Sequence, residues 1–481
     1  MKTISHTTRF PFEVTCLTDV GNVVIKCHQG LRIFPERRIV CDAFVNEEPV
    51  IAKIFDRHAD GEKQAQLEAG GIIELILRKV LTATIIHKGQ SEDGRFSIIV
   101  YKKIADAQTI RDAWQQQKDE AIISQFVELL AQHHVAGVLH QDMHLNNFLL
   151  SAGRIYTLDT VDMDFHPQAI TKQQGLQQLA QALSLFRVEK DEQIQKYLQQ
   201  YLQLRDLSAT TNDVDKVKSA MRISLLAQQH SYLKKIYRDC SEFISQKRFG
   251  WYYVYLRRLQ SDQFEQFVHN PNAMFNPSTA NMQKDGNTCT VISCQVDGHD
   301  VIIKRYNIKG VLHALKRLWR PTRASHSWRN AHMLTAVYGI PTAQPLALIE
   351  KRFGPLRLTS WFVMQHIEGV SAHELFNNND LSLEMKRNYA EQLAAIFMRM
   401  ARFQISHGDM KATNFLFKDE QFFLIDLDGM KQHDNAAAFQ SSFRRDLQRF
   451  MKNWQHSAEL TSMFIEVLAQ DALRPCFQAP N

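Results

Sequence analysis

The sequence predicts an α+β chain of two tandem units, each a small β-rich N-terminal half followed by a larger helical half. Three observations carry that prediction. One set of polar residues recurs twice at matched spacing, and an apolar strand-like run holding a single lysine precedes each set. Segments with apolar residues at three- and four-residue intervals lie between lysine and set, and again after it.

Composition fits this division. A chain of 481 residues is long for one hydrophobic core, and two domains is the simplest partition. With 44% hydrophobic and 22% charged residues the chain is ordinary globular material, which excludes disorder and a fibrous state. A net charge of +6 gives no argument for nucleic acid, and no nucleic-acid partner is expected. Basic charge is concentrated in GVLHALKRLWRPTRASHSWR, where Lys316, Arg317, Arg320, Arg323 and Arg329 surround two tryptophans. Such a run is either a solvated helix face or a surface for phosphate-bearing ligands. The seven cysteines form no CxxC pair, and a reducing compartment fits best. The N-terminus has no apolar core of signal-peptide length, and no stretch approaches ~20 uninterrupted apolar residues. A cytoplasmic location follows, with at most peripheral contact with a membrane from that side.

In the first unit PVIAKIF, with Lys53, follows another β-rich run across a short turn, as a hairpin does. EKQAQLEAGG then offers Glu68, with Glu62 as the runner-up, on a helix. After the helical AIISQFVELLAQHHVAG comes LHQDMHLNNFLL with Asp142 and Asn147, then IYTLDTVD with Asp159. In the second unit KDGNTCTV forms a turn with Gly286, and DVIIKRYN supplies Lys304. SHSWRNAHML has Asn330 or Arg329 where an acid is wanted, so Lys304 lacks the usual glutamate. The helical MKRNYAEQLAAIFMRMARFQ leads to SHGDMKATNFLF with Asp409 and Asn414, then to FFLIDLDG with Asp426. In both copies a His precedes the first Asp by two positions, an Asn follows it by five, and the second Asp follows it by seventeen. The stretch from Ser219 to Val268 reads as helical and as the close of the first unit. HNPNAMFNP reads as the linker, which gives units 1–268 and 269–481.

These residue types suit phosphoryl transfer, which needs positioning and charge neutralisation more than covalent help. Asp142 and Asp409 are the candidate catalytic bases, each able to accept the proton of an attacking hydroxyl. Asn147 with Asp159, and Asn414 with Asp426, are the candidate Mg2+ ligands, because hard cations favour oxygen. Lys53 and Lys304 can reach the phosphates of ATP as point charges, with Glu68 as the partner of Lys53. VIAK and VIIK match the strand lysine element of protein kinases, and the first acidic block fits their H-x-D-x-x-x-x-N loop. The D-F-G position reads Asp159-Thr-Val and Asp426-Leu-Asp, so the phenylalanine and glycine are absent. Gly286 can lie over phosphates. Its counterpart in the first unit is PERR, from Pro35 to Arg38, whose arginines either contact phosphate or form a solvated turn. His140 and His407 read as structural, Lys411 as a possible phosphate contact replaced by His144 in the first copy, and Phe148 and Phe415 as core. Trp251 to Tyr255 reads as helix packing. Together the elements describe two tandem protein-kinase-like bilobal domains.

At these residues the chain resembles the bacterial lipopolysaccharide kinase (Kdo/WaaP) family, twice over. In the second half the resemblance runs through VIIKRYN, RPTRASHSWRNAHMLTAVYGIPTAQPLALIEKRFG, HGDMKATNFLF, LIDLDG and RRDLQRFMKNW. In the first it rests on VIAKIF, QLEAGG, HQDMHLNNFLL and the following Asp. The resemblance implies an ATP-dependent kinase acting on heptose or Kdo of the inner core, with lipopolysaccharide core or a lipid A-core precursor as partner, at the cytoplasmic face of the inner membrane. Two other readings stand beside it. One copy is a pseudokinase scaffold for the other, or the chain is a small-molecule, aminoglycoside-type phosphotransferase. A protein Ser/Thr kinase is less favoured, since no A-P-E segment follows either second Asp.

Overall fold

The computed structural model describes residues 4–5, 8–276, 280–307, 320–354 and 356–469. The chain forms two compact units, Met1–Ala227 and Gln228–Asn481.

The first unit opens with six antiparallel strands, β1 Phe12–Thr18, β2 Gly21–Phe34, β3 Arg38–Val45, β4 Glu48–Asp56, β5 Ile85–Ser91 and β6 Phe96–Lys102. They close into a barrel in the order β1-β2-β3-β4-β6-β5. Successive side chains on a strand point to opposite faces. Val50, Ala52 and Ile54 of β4 therefore fill the barrel with Ile25, Ile39, Cys41, Ile98 and Val100. Lys53, out of phase with them, belongs to the outer face together with Ile51 and Phe55. That face packs against α1, Gly61–Leu77. On α1 Ala65, Glu68, Ala69, Ile72 and Leu75 recur at helical spacing as one buried stripe, which carries Glu68 toward Lys53.

The helical half follows, with β7 Gln108–Thr109, α2 Ile110–Gln117 and α3 Glu120–Val135 ahead of β8 Val138–His140, β9 Phe148–Ser151, β10 Arg154–Thr157 and β11 Met163–Phe165. Then come α4 Lys172–Leu185, α5 Asp191–Leu204 and α6 Asp213–Lys235. Asp119 caps α3, and a Thr171–Gln174 capping box starts α4. Phe126, Phe148, Leu183, Phe186, Tyr197 and Tyr201 form the core of this half. The Asp142–Asn147 segment lies between β8 and β9, and Asp159 follows the β9–β10 hairpin.

The second unit is built on seven strands, β12 Phe243–Arg248, β13 Trp251–Leu256, β14 Asn281–Gly286, β15 Cys289–Val296, β16 His299–Tyr306, β17 Pro345–Phe353 and β18 Leu356–Gln365. Their order is β12-β13-β17-β18-β16-β15-β14. α7, Asp262–His269, lies between β13 and β14 in sequence, and the helix Arg323–Met333 between β16 and β17. Beyond the sheet come β19 Val370–Ser371, the helix Leu383–Arg402, β20 Ile405–Ser406, the hairpin β21 Phe415–Lys418 and β22 Gln421–Leu424, β23 Lys431–Gln432, and the helices Ala436–Met451 and Ala458–Leu468. Both units thus run from strands to helices, and Phe148 and Phe415 are both buried.

Two expectations differ from what is seen. The stretch from Ser219 to Val268 is not helical throughout: its α-helices are α6 and α7, with a 3-10 turn at Arg257–Leu259, and Trp251–Tyr255 lies in β13. β13 pairs with β12 on one side and β17 on the other, with Tyr252, Tyr253, Val254 and Tyr255 buried. Aromatic and β-branched residues fit such a pleated, two-sided environment. That pairing ties residues 243–256 to the second sheet, so the compact units part within α6 rather than at 268. The linker candidate Asn270–Asn276 holds a single 3-10 turn, Pro271–Met274, inside the second unit. The six described cysteines are free thiols. Among the described residues no helix is long and apolar enough to cross a membrane.

Candidate active sites

In the second unit Lys304 lies on β16, opposite Val291 of β15 and Phe362 of β18, so its backbone is fixed from both sides. Its Nζ sits 2.8 Å from Asp426 Oδ1. The residue before Asp426 is tied to the Asn loop, for the Ile425 N–H donates to the Asn414 carbonyl at 2.9 Å. Asn414 Nδ2 in turn donates to the Asp409 carbonyl at 2.8 Å. Lys304, Asp426, Asn414 and Asp409 therefore form one connected group. Asp426 has φ 62°, in the left-handed region that Asp tolerates better than most residues. Burial pushes its pKa up, but the Lys304 ammonium, His407 and Lys284 outweigh that and hold it below the usual carboxylate range. Beside Asp409 stand Lys411 Nζ at 2.7 Å from Oδ2 and Arg449 Nε at 3.4 Å from Oδ1.

The loop carrying Asp409 is held from below. Asp446 of the helix Ala436–Met451 is buried, and its carboxylate accepts from the His407 N–H at 2.6 Å and the Gly408 N–H at 3.0 Å. Gly408 has φ 85°, and a Cβ there would meet the Gly429 carbonyl at 2.8 Å, so glycine is required. His407 is fully buried, with Nε2 3.0 Å from the Ile425 carbonyl and Nδ1 3.4 Å from the Asp409 N–H. It braces the backbone, in keeping with a structural role.

No acid from the helix Arg323–Met333 reaches Lys304 among the described contacts. That helix grips the Asp426 segment instead. Arg323 binds Asp428, with Nε donating at 2.9 Å, and Asn330 Nδ2 donates to the carbonyls of Leu427 and Met430 at 2.9 and 3.1 Å. Gly286 closes the β14–β15 turn and makes no described contact with the Lys304 cluster. Of the basic run, Lys316 and Arg317 lie outside the described residues, Arg323 serves Asp428, and Arg329 is exposed.

The first unit repeats the plan with different partners. Lys53 Nζ lies 2.8 Å from Glu68 Oε2 and 3.3 Å from Asp159 Oδ1. Tyr101 O–H donates to Glu68 Oε1 at 3.0 Å, and Thr160 O–H donates to the Glu68 carbonyl at 2.8 Å, which fastens α1 to the Asp159 segment. Burial pushes the Glu68 pKa up against the pull of Lys53. Arg38, the first residue of β3, places Nη2 3.3 Å from Asp159 Oδ2. Burial raises the Asp159 pKa, and Lys53 with Arg38 more than reverses it, holding the carboxyl low. Leu158 N–H donates to the Asn147 carbonyl at 2.8 Å, the same tie as Ile425 to Asn414, and Asn147 Nδ2 to the Asp142 carbonyl is 3.4 Å. Asp159 has φ 55°, close to Asp426. His144 Nε2 lies 3.1 Å from Asp142 Oδ1, where the second unit has Lys411. Gln178 of α4 takes the place of Asp446, bonding the His140 N–H at 3.4 Å and its carbonyl. His140 pairs with His133 at 2.8 Å, and burial pushes His140 down to about 3 and His133 low as well, so two neutral imidazoles share a structural bond.

Sequence reading located Lys53, Glu68, Asp142, Asn147 and Asp159, and Lys304, Asp409, Asn414 and Asp426, which the fold gathers into two groups. It missed Tyr101, Thr160, Gln178, Arg323, Asp428, Asp446 and Arg449. A signal existed for Asp428, the second acid of LIDLDG, and for Asp446 in RRDLQRF. For divalent metal the two groups differ. Asn414 commits its amide nitrogen and keeps its side-chain oxygen, beside a half-exposed Asp426, and these are oxygen donors of the kind that would hold Mg2+. Both oxygens of Asp159 already face cations, and that set does not fit a divalent ion in the same way. Among the described residues no three His, Cys, Asp or Glu side chains stand close enough to hold a metal between them.

Residues 279–470 match the model of the lipopolysaccharide kinase (Kdo/WaaP) family. No curated protein sequence matches the chain. Among solved structures, WaaP in complex with acyl carrier protein is similar over 45% of this chain and 90% of its own, at 16% identity and a TM-score of 0.34. Vaccinia related kinase 3 is similar over 45% of this chain and 86% of its own, at 10% identity and a TM-score of 0.29. The family match lies wholly within the second compact unit and contains Lys304, Asp409, Asn414 and Asp426. The similarity to the lipopolysaccharide kinase (Kdo/WaaP) family thus falls on residues 279–470.

Proposed function

We propose that the chain is an ATP-dependent phosphotransferase acting on a sugar hydroxyl, heptose or Kdo, of the lipopolysaccharide inner core, built as two tandem protein-kinase-like bilobal domains. The supporting observation is the linked group Lys304–Asp426–Asn414–Asp409 inside a segment that matches a lipopolysaccharide kinase family. In this reading Asp409 orients the acceptor hydroxyl and takes its proton as the bond to phosphorus forms. Lys304 holds the phosphates of ATP, and Gly286 lets the β14–β15 turn lie over them. Asn414 and Asp426 would hold Mg2+, which supplies charge neutralisation on the phosphate oxygens. Lys411 and Arg449 flank Asp409 and add positive charge where the transferred group passes. The acceptor is the lipopolysaccharide core or a lipid A-core precursor, met at the cytoplasmic face of the inner membrane by peripheral contact.

In the first domain Asp142, Asn147, Asp159 and Lys53 stand where the second domain has Asp409, Asn414, Asp426 and Lys304, and Glu68 pairs with Lys53. Arg38 on Asp159 favours a second reading for that domain, a nucleotide-binding regulator of its neighbour. Mass spectrometry of lipopolysaccharide core tests the proposal, using strains that lack the gene or carry Asp142→Ala or Asp409→Ala. Loss of one core phosphate in the deletion and in Asp409→Ala supports it. An unchanged core, with a soluble drug or metabolite phosphorylated instead, supports a small-molecule phosphotransferase.

A further inference from the structure

The two sites differ most in what faces the second aspartate. In the second unit Asp426 has one close cation, Lys304, and a side chain 42% exposed. In the first, Lys53 takes Oδ1 of Asp159 and Arg38 takes Oδ2, and the side chain is 20% exposed. Arg38 enters from the β2–β3 hairpin, whose turn corresponds to the glycine turn of the second unit. Its guanidinium stacks on Phe34 at 4.8 Å, and Arg32 stacks on the same ring at 4.8 Å. Arg32 is in electrostatic range of both Asp159 and Asp142. Two guanidinium groups therefore stand on one aromatic post beside the acids. A guanidinium is a permanent planar cation with five donors that match phosphate oxygens pairwise, and Arg38 spends one of them on Asp159.

We propose that the first unit binds the phosphates of a nucleoside triphosphate through Arg38, Arg32 and Lys53 without a divalent cation, Arg38 occupying the place that the metal takes in the second unit. This inference rests on the reading of both units as nucleotide sites. It makes the two sites separable by metal alone, since chelation empties the second and leaves the first filled.

The test uses the full chain with Lys304→Ala and Asp426→Asn to silence the second site, titrated with a fluorescent ATP analogue in Mg2+ and in EDTA. Calorimetry checks that each variant remains folded. The expected result is similar affinity in both conditions. Arg38→Ala should lower affinity in EDTA by about tenfold to a hundredfold, the worth of charge-assisted phosphate bonds. Arg38→Lys, which keeps the charge but not the fork, should restore part of it. Binding that needs Mg2+ and ignores Arg38→Ala overturns the inference while leaving the first unit a nucleotide site. No binding in either condition overturns that assignment as well.

Discussion

Replacing Asp446 by alanine tests how the loop bearing Asp409 is held. The carboxylate is 3% exposed and accepts from two backbone N–H groups, those of His407 and Gly408. Hydrogen bonds to a charged group contribute about 1.5–3 kcal/mol each, and a buried donor left without a partner costs about as much. Against this, burial raises the Asp446 pKa, so part of the gain is already offset by desolvation of the carboxylate. A net loss of about 2–4 kcal/mol is the balance. At roughly 2–4 °C per kcal/mol for a unit of this size, the corresponding transition falls by about 4–16 °C. Differential scanning calorimetry of the full chain reads this, with the transition of the first unit as internal reference. Asp446→Asn keeps one acceptor and should lose less. A shift in Asp446→Ala below about 2 °C, less than one kcal/mol produces, would refute the reasoning.

Asp409→Ala should reduce transfer of labelled γ-phosphate to lipopolysaccharide core by about 10²–10⁴, with nucleotide affinity kept; a variant that loses affinity but not rate would assign Asp409 to binding. Tyr101→Phe removes the donor on the buried Glu68 and should cost the first unit about 1 kcal/mol, read as a drop in its melting transition while the second stays fixed. For Asp426 the folded pKa is below the ordinary 3.8, so its ion pair with Lys304 contributes fully above that value and is lost as pH falls through the lower folded value. Acid titration of stability should therefore show a smaller loss below pH 3.8 in Asp426→Asn than in the unaltered chain, and identical profiles would count against the pair.

The residues legible in the sequence are those set at a fixed local spacing that recurs in both units. Lys53 and Lys304 sit in strand runs, and each Asp–Asn–Asp set spans one loop and one hairpin, so neighbours in sequence are neighbours in space. The partners were not legible, because they arrive from elements whose docking no local pattern records. Arg38 reaches Asp159 across 121 positions, Arg323 reaches Asp428 across 105, and Asp446 reaches His407 across 39. β12 and β13 were hidden for a related reason. Their Tyr, Lys and Arg content reads as an amphipathic helix until β17 supplies a partner edge. No local pattern shows that residues 243–256 join a sheet otherwise built from strands far downstream.

Nucleotide counting by equilibrium dialysis in the presence of Mg2+ probes the shared basis of both sites most directly. Two ATP molecules per chain are expected, falling to one when either Lys53 or Lys304 is replaced by alanine and to none when both are. A chain that binds no ATP, or whose count ignores both lysines, would contradict the assignment of a phosphate site to each unit.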